Sequence, residues 1–232
     1  MARTRSNGET QREYASRIIR EKIISMELEP GQSISENELS QTLGISRTPV
    51  REALRELVNI QMIEVMPQRG CRVALIDYTM IEEARFTRQV LETSILPKVC
   101  NLMQSSDLLE LRQILQGQEL LLQSGPEENA RFMALDNAFH AKLFEIAQMS
   151  MTHQMMLLMQ IHFDRVRRIA LHIGRNSEIV KEHNAILDAI EKRDVELARE
   201  QMMHHLSQAS LDRTAVEDAF PHYILNRTDD KK

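Results

Sequence analysis

Residues 35–72 restrict what this chain can fold into more than any other stretch. Ser35-Glu36-Asn37-Glu38 carries the pattern of a helix start. In that pattern a serine hydroxyl takes an early backbone N–H and a glutamate three residues on reaches back. Leu39 and Leu43 give a short helix one buried side, and Gly44 supplies the left-handed turn that ends it. Ser46 caps a further helix with Pro49 in its first turn, where a missing N–H costs little. Val50, Ala53, Leu54, Leu57 and Ile60 form its apolar stripe. Ile63 to Val73 then alternates apolar and polar residues on both sides of Gln68-Arg69-Gly70, the signature of a two-stranded hairpin whose tight turn Gly70 permits. Upstream, Tyr14, Ile18, Ile19, Ile23 and Met26 recur at helical spacing until Pro30-Gly31 closes the segment. This order of elements is a winged helix-turn-helix.

The exposed side of the third helix has a chemistry of its own. Ser46, Arg47, Thr48 and Pro49 open it, and Arg51 and Arg55 continue the arginine row at four-residue spacing. Such a row suits phosphates and guanine edges. A solvated helix surface would show the same arginines, especially beside Glu52 and Glu56. The hairpin that follows favours nucleic acid, because Arg69 at its tip can reach a minor groove or a phosphate. The net charge of −5 argues weakly against this, but it is unevenly spread. Residues 1–76 hold 11 Lys+Arg against 10 Asp+Glu, and residues 77–232 hold 18 against 24, so the acidic excess lies in the second part. No run approaches the roughly 18 apolar residues of a membrane span, and the N-terminus has no apolar signal region. A soluble, cytoplasmic protein is expected. Cys71 and Cys100 fall in different predicted domains, which suits a reducing compartment.

From Asp77 onward strand signals vanish. Six helices are predicted, at 79–103, 107–123, 127–148, 151–173, 177–192 and 194–213, with Pro97 kinking or shortening the first. The breaks fall at Ser105-Ser106, Gly125-Pro126, Gln148–Ser150, Gly174 and Arg193-Asp194. Short connections favour antiparallel neighbours, hence an all-α six-helix bundle. The fold class is therefore mainly α. The expected domains are a DNA-binding winged helix over 1–76, a helical binding and dimerisation domain over 77–220, and a tail over 221–232 whose polar end, Asn226 to Lys232, is loose.

Polar residues on faces that should be apolar mark this second domain. Asp136 and His140 share a row with Met133, Leu143 and Ala147; His183 interrupts Ile179, Ile186 and Ile190; His205 joins Ala198, Met202 and Ala209. His204 falls with Gln201 and Gln208, a side that faces water or a partner. One inward histidine is ordinarily a hydrogen-bonded core residue. Three on separate helices, with a carboxylate that needs a cation or donors when buried, point to a divalent metal such as Zn²⁺, Ni²⁺ or Mn²⁺. Arg88 shares a row with Ile81, Ala84, Leu91 and Ile95, so its guanidinium enters the bundle. There it can hold a ligand carboxylate, or make an internal salt bridge to Glu92 or Asp136. Arg165, between Ile161 and Ile169, is a similar candidate for effector binding.

Two resemblances gather these observations. Pro30-Gly31, Leu39-Ser40, Leu43 through Leu54, Leu57 and Arg69-Gly70 resemble the GntR family of bacterial winged-helix regulators over residues 12 to 75. The resemblance implies that Ser46, Arg47, Thr48 and Arg51 touch an operator, with Arg69 and Gly70 at the wing. Better-studied members can carry an arginine where this chain has Asn37, which bears on sequence preference. Residues 80 to 213 are similar to the FCD ligand-binding domain of the FadR subgroup, through Asp136-x-x-x-His140, Glu182-His183 and His205-Leu206. That similarity implies a metal with positions left open for a small carboxylate metabolite. The expected function is a homodimeric, effector-controlled repressor on a palindromic double-stranded operator. Two alternatives remain at this point. One is a DNA-binding regulator without a metal-dependent effector. The other is a metal-dependent hydrolase, against which the sequence offers no nucleophile motif, phosphate loop or further acid–base pair.

Overall fold

The computed structural model describes residues 5–6, 8–172, 176–208 and 213–225. The expected break at Gly174, the end of the sixth predicted helix from Ala209 to Asp212 and the polar stretch from Asn226 lie outside the described residues. Contacts divide the chain into two units, one running to Tyr78 and resuming at Phe220, the other spanning Thr79–Ala219.

The first unit contains α1 (Gln11–Ile24), β1 (Ser33–Ile34), α2 (Glu36–Leu43), α3 (Arg47–Asn59), β2 (Ile63–Met66) and β3 (Gly70–Val73). Thr10 starts α1 with a reciprocal cap: its hydroxyl accepts the Glu13 N–H and its own N–H donates to the Glu13 carboxylate. Ala15, Ile18, Ile19 and Ile23 of α1 pack with Val50, Ala53, Leu54 and Leu57 of α3 as the buried core of this unit. Ser35 accepts the Glu38 N–H at 3.3 Å, but the expected return bond from the Glu38 side chain is not made among the described residues. Gly44 takes the left-handed conformation, φ 66°, that ends α2. Ser46 stands at the start of α3 without a side-chain capping bond, and its exposed hydroxyl stays free among the described residues. Ile60 is only half-buried because α3 stops at Asn59.

The sheet has the order β1-β3-β2, with both pairings antiparallel and Val65 opposite Cys71 in the hairpin. Gly70 adopts positive φ at the hairpin tip, joined there by Gln68. The sequence reading missed β1, which at two residues is too short for alternation to show. It also missed a return of the chain. After the turn Pro221–Tyr223, Ile224 pairs with Ile76, with Ile76 N–H on the Tyr223 carbonyl at 2.8 Å and Leu225 N–H on the Ile76 carbonyl at 2.9 Å. Tyr223 and Ile224 are both buried. The described part of the expected tail thus belongs to the first unit.

The second unit is helical: α4 (Tyr78–Leu102), α5 (Ser105–Leu121), α6 (Asn129–Ile146), α7 (Ser150–His172), α8 (Asn176–Glu191), α9 (Val195–Gln208) and α10 (Arg213–Ala219). The last is one more than the sequence predicted, being short and lacking an apolar repeat. α4 does not end at Pro97 but runs five residues past it. Near the C-terminus the missing N–H deprives a single carbonyl, that of Thr93, of its partner. Cross-contacts show the antiparallel arrangement directly. Arg112 meets Asp188 and Glu191 while Gln118 meets His183, pairing α5 with α8 in opposite directions. Asp136 meets Arg167 while Phe144 meets His153, doing the same for α6 and α7. Leu96, Val99, Leu111, Leu115, Phe139, Leu143, Ile186, Ile190 and Met202 fill the core between these helices.

Candidate functional site

Two groups of residues carry chemistry. In the first unit, Ser46, Arg47, Thr48, Arg51 and Arg55 are exposed along the start and outer side of α3, with Pro49 half-buried among them. Arg69 and Gly70 are exposed at the hairpin tip. The burial of Val50, Ala53, Leu54 and Leu57 fixes which side of α3 faces outward. Arg51 is held as a fork: Nη2 donates to Glu36 Oε2 at 2.8 Å and Nε to Oε1 at 3.1 Å. That pairing holds the Glu36 carboxyl below its ordinary range, with Arg47 and Arg55 adding to the effect. Sequence reasoning missed Glu36 as the anchor of Arg51, because the pair joins two helices.

In the second unit the structure brings all four predicted ligands together. Asp136 and His140 come from α6, His183 from α8 and His205 from α9, and one nitrogen from each imidazole lies within 4.8 Å of the others. Asp136 Oδ2 is 3.8 Å from His140 Nε2 and its Oδ1 is 3.7 Å from His183 Nε2. All four side chains are at least nine-tenths buried. Each imidazole sets its Nδ1 against a side chain from another helix. Glu182 Oε2 lies 2.7 Å from His205, Gln118 Oε1 lies 3.0 Å from His183, and Glu92 Oε2 lies 2.6 Å from His140, the last a close ionic contact rather than an aligned hydrogen bond. These partners fix ring orientation as outer-shell groups do around metals. The Nε2 atoms of His140 and His183 are then left buried with no hydrogen-bond partner among the described residues.

Orphaned ring nitrogens are costly unless something accepts their lone pairs. Burial lowers the pKa of His183 strongly and of His205 as well, which keeps both rings in the neutral, ligating form. Burial opposes the charge of Asp136, yet Arg167 beside it holds the carboxyl well below its usual range. The donor set therefore fits a divalent transition metal: three imidazoles and one carboxylate, converging and dry.

The arginines divide differently from expectation. Arg88 is buried and its Nε donates to Glu92 Oε1 at 2.6 Å, so the internal salt bridge foreseen as an alternative is made. Its Nη2 is nevertheless buried without a hydrogen-bond partner among the described residues, and its guanidinium lies 5.5 Å from the Phe163 ring centre. Arg165 is also fully buried. The guanidinium that reaches Asp136 belongs to Arg167, which the sequence reading passed over. Its signal was the row Gln160, Asp164, Arg167 on an otherwise apolar side of α7. Glu92 was foreseen as a partner of Arg88 but not of His140, and Gln118 was not foreseen, because these contacts join different helices.

A three-helix winged domain with an arginine-lined helix, carried with a helical domain built around an imidazole–carboxylate cluster, has the build of a DNA-binding regulator with a second, helical domain. Comparison with known proteins agrees. Residues 11–73 match the model described as bacterial regulatory proteins of the gntR family, and residues 83–208 match the FCD domain. The chain is 34% identical over 209 residues to an HTH-type transcriptional regulator in an unstable DNA locus of Streptomyces ambofaciens, covering 89% of this chain and 85% of the relative. It is 29% identical to the HTH-type transcriptional repressor RspR of Escherichia coli K12, covering 84% and 85%. Among solved structures, E. coli McbR/YncC superposes with a TM-score of 0.75 at 19% identity, over 91% of this chain and 99% of that one. The chain belongs to the GntR family of bacterial transcriptional regulators, in the branch with an FCD domain. It is a regulator and not an enzyme. Among the described residues no helix is long and apolar enough to cross a membrane.

Proposed function

We propose that this protein is a cytoplasmic, homodimeric repressor whose hold on a palindromic operator is set by a small organic acid at a metal site in the helical domain. The observation that supports the sensing half is the convergence of Asp136, His140, His183 and His205, with two buried Nε2 atoms that have no hydrogen-bond partner among the described residues. A divalent cation held there supplies a Lewis-acidic anchor for a carboxylate. The remaining work falls to the chain's own side chains. Glu92, Gln118 and Glu182 orient the rings, and Arg88 offers a buried, spare guanidinium nitrogen to an anion. Arg165 is assigned the same role on weaker grounds, as a buried charge of α7.

Residues 1–76 make the DNA-reading part of this proposal and 77–220 the sensing and dimerising part. Ser46, Arg47, Thr48, Pro49, Arg51 and Arg55 read or grip the major groove, and Arg69 with Gly70 the adjacent groove or phosphates. One winged helix covers too few base pairs for useful specificity, so two copies on a two-fold site are required. An exposed apolar face supports the second copy. Phe86 and Val90 of α4 and Met151, Met155 and Leu158 of α7 are exposed, and Thr87 meets Met159 between the two helices. A stable dimer buries about 800 Å² on each partner, and this face is where a second copy would find it. Repression is inferred from the named function of RspR.

Elemental analysis of protein purified without chelators tests the sensing half, together with melting curves with and without added Zn²⁺, Ni²⁺ and Mn²⁺. Near-stoichiometric metal and a raised melting temperature are expected. Protein that carries no metal and melts unchanged would make the histidines core residues only. Capture of genomic fragments at moderate salt tests the DNA half in the same way.

A further inference from the structure

The four members of the cluster are held by unlike means. Each imidazole turns Nδ1 to an acceptor and Nε2 inward, whereas Asp136 is held by a cation. Arg167 reaches across from α7, donating through Nη2 to Asp136 Oδ2 and through Nη1 to Asp164 Oδ1 at 2.8 Å and Asn137 Oδ1 at 3.0 Å. The face of Phe163 lies against its guanidinium. The side chain is largely buried, so Arg167 and Asp136 neutralise each other in a dry setting. Both Asp136 oxygens face the rings, Oδ1 toward His183 Nε2 and Oδ2 toward His140 Nε2, and Arg167 takes Oδ2. A guanidinium there and a divalent ion beside the rings would repel each other strongly, because charges in an interior are poorly screened.

We propose that Arg167 is a built-in rival of the metal ion, neutralising Asp136 in the metal-free protein and yielding it when Asp136 becomes a ligand. The idea rests on the metal reading above and deepens it. Asp164 and Asn137 keep Nη1, so the guanidinium swings aside instead of leaving, and its freed Nη2 stays close to the cluster. Arg167 thereby sets how much free metal is needed to load the site. It also spares the metal-free fold an uncompensated carboxylate. An outer-shell role like that of Glu92 would give the opposite sign, since removing an orienting partner weakens metal binding.

Calorimetric titration of chelator-stripped protein with Zn²⁺, Ni²⁺ and Mn²⁺ separates the two. Arg167→Met should bind its preferred ion about tenfold more tightly than wild type, because no like charge then stands beside the ion. Its melting temperature should be lower than wild type without metal and rise by more on metal addition. Arg167→Lys keeps a positive charge but cannot hold Asp136 and Asp164 together. It should shift affinity in the same direction by less, and it serves if the methionine variant does not fold. Equal or weaker binding by the variants, with wild type binding normally, overturns this proposal alone and makes Arg167 a positioning residue for Asp136. Binding by neither wild type nor variants defeats the metal reading, and this proposal with it.

Discussion

Arg51 shows how one residue can be both held and available. Glu36 grips its guanidinium from α2, yet Arg51 remains more than half exposed on the outer side of α3. Exposed pairs of this kind contribute little stability, so the value of the contact lies in orientation. Arg47→Ala or Arg51→Ala should weaken operator binding by about 1–3 kcal/mol with the melting temperature unchanged. An unchanged midpoint in an anisotropy titration would remove their assigned role. Arg88 behaves in the opposite way, being buried together with Glu92. Arg88→Gln alone leaves a buried carboxylate facing His140 and should cost about 3–5 kcal/mol in a denaturant melt, while Arg88→Gln with Glu92→Gln should recover most of that. The convergence of Asp136, His140, His183 and His205 was legible because helical spacing decides which residues of α6, α8 and α9 point inward. Their partners were not, because Glu92, Gln118 and Arg167 reach the cluster from other helices, and sequence spacing says nothing about side chains that meet across a bundle.

Among elements, those with a strong period or a punctuating glycine were readable: α2 ended by Gly44, α3 with its apolar stripe, and the hairpin with Gly70 at its tip. The two-residue β1, the short α10 and the pairing of Ile76 with Ile224 were not, since each depends on contacts remote in sequence. That last pairing gives the C-terminus a structural role in the DNA-reading unit. A chain ending at Ala219 should lose the burial of Tyr223 and Ile224, about 2–4 kcal/mol. The loss should show as earlier melting of the winged unit, and an unaltered melting curve would deny the Ile76–Ile224 pairing any importance. The exposed row on α7 yields a second prediction at this scale. Met155→Asp with Leu158→Asp should turn a dimer into monomers in sedimentation, with helicity retained, and a persistent dimer would place the interface elsewhere.

At the scale of the whole molecule the account is a division of work between two units with separate cores. In the proposed function, operator contact rests on charged residues outside one core and sensing on a polar cluster inside the other. Because only a bias on the operator-bound state has to pass between them, an effector coupling of about 1–3 kcal/mol is sufficient. The direct measurement is operator affinity of wild type and His183→Ala, read by fluorescence anisotropy on a captured genomic fragment. Each is titrated in the presence and absence of the metal found by elemental analysis and of a panel of small organic acids. The account predicts that an acid shifts the wild-type midpoint by about 5–150-fold only when metal is present, and that His183→Ala binds the fragment normally but ignores both. An equal response from the variant, or a wild type indifferent to every acid with and without metal, would contradict it.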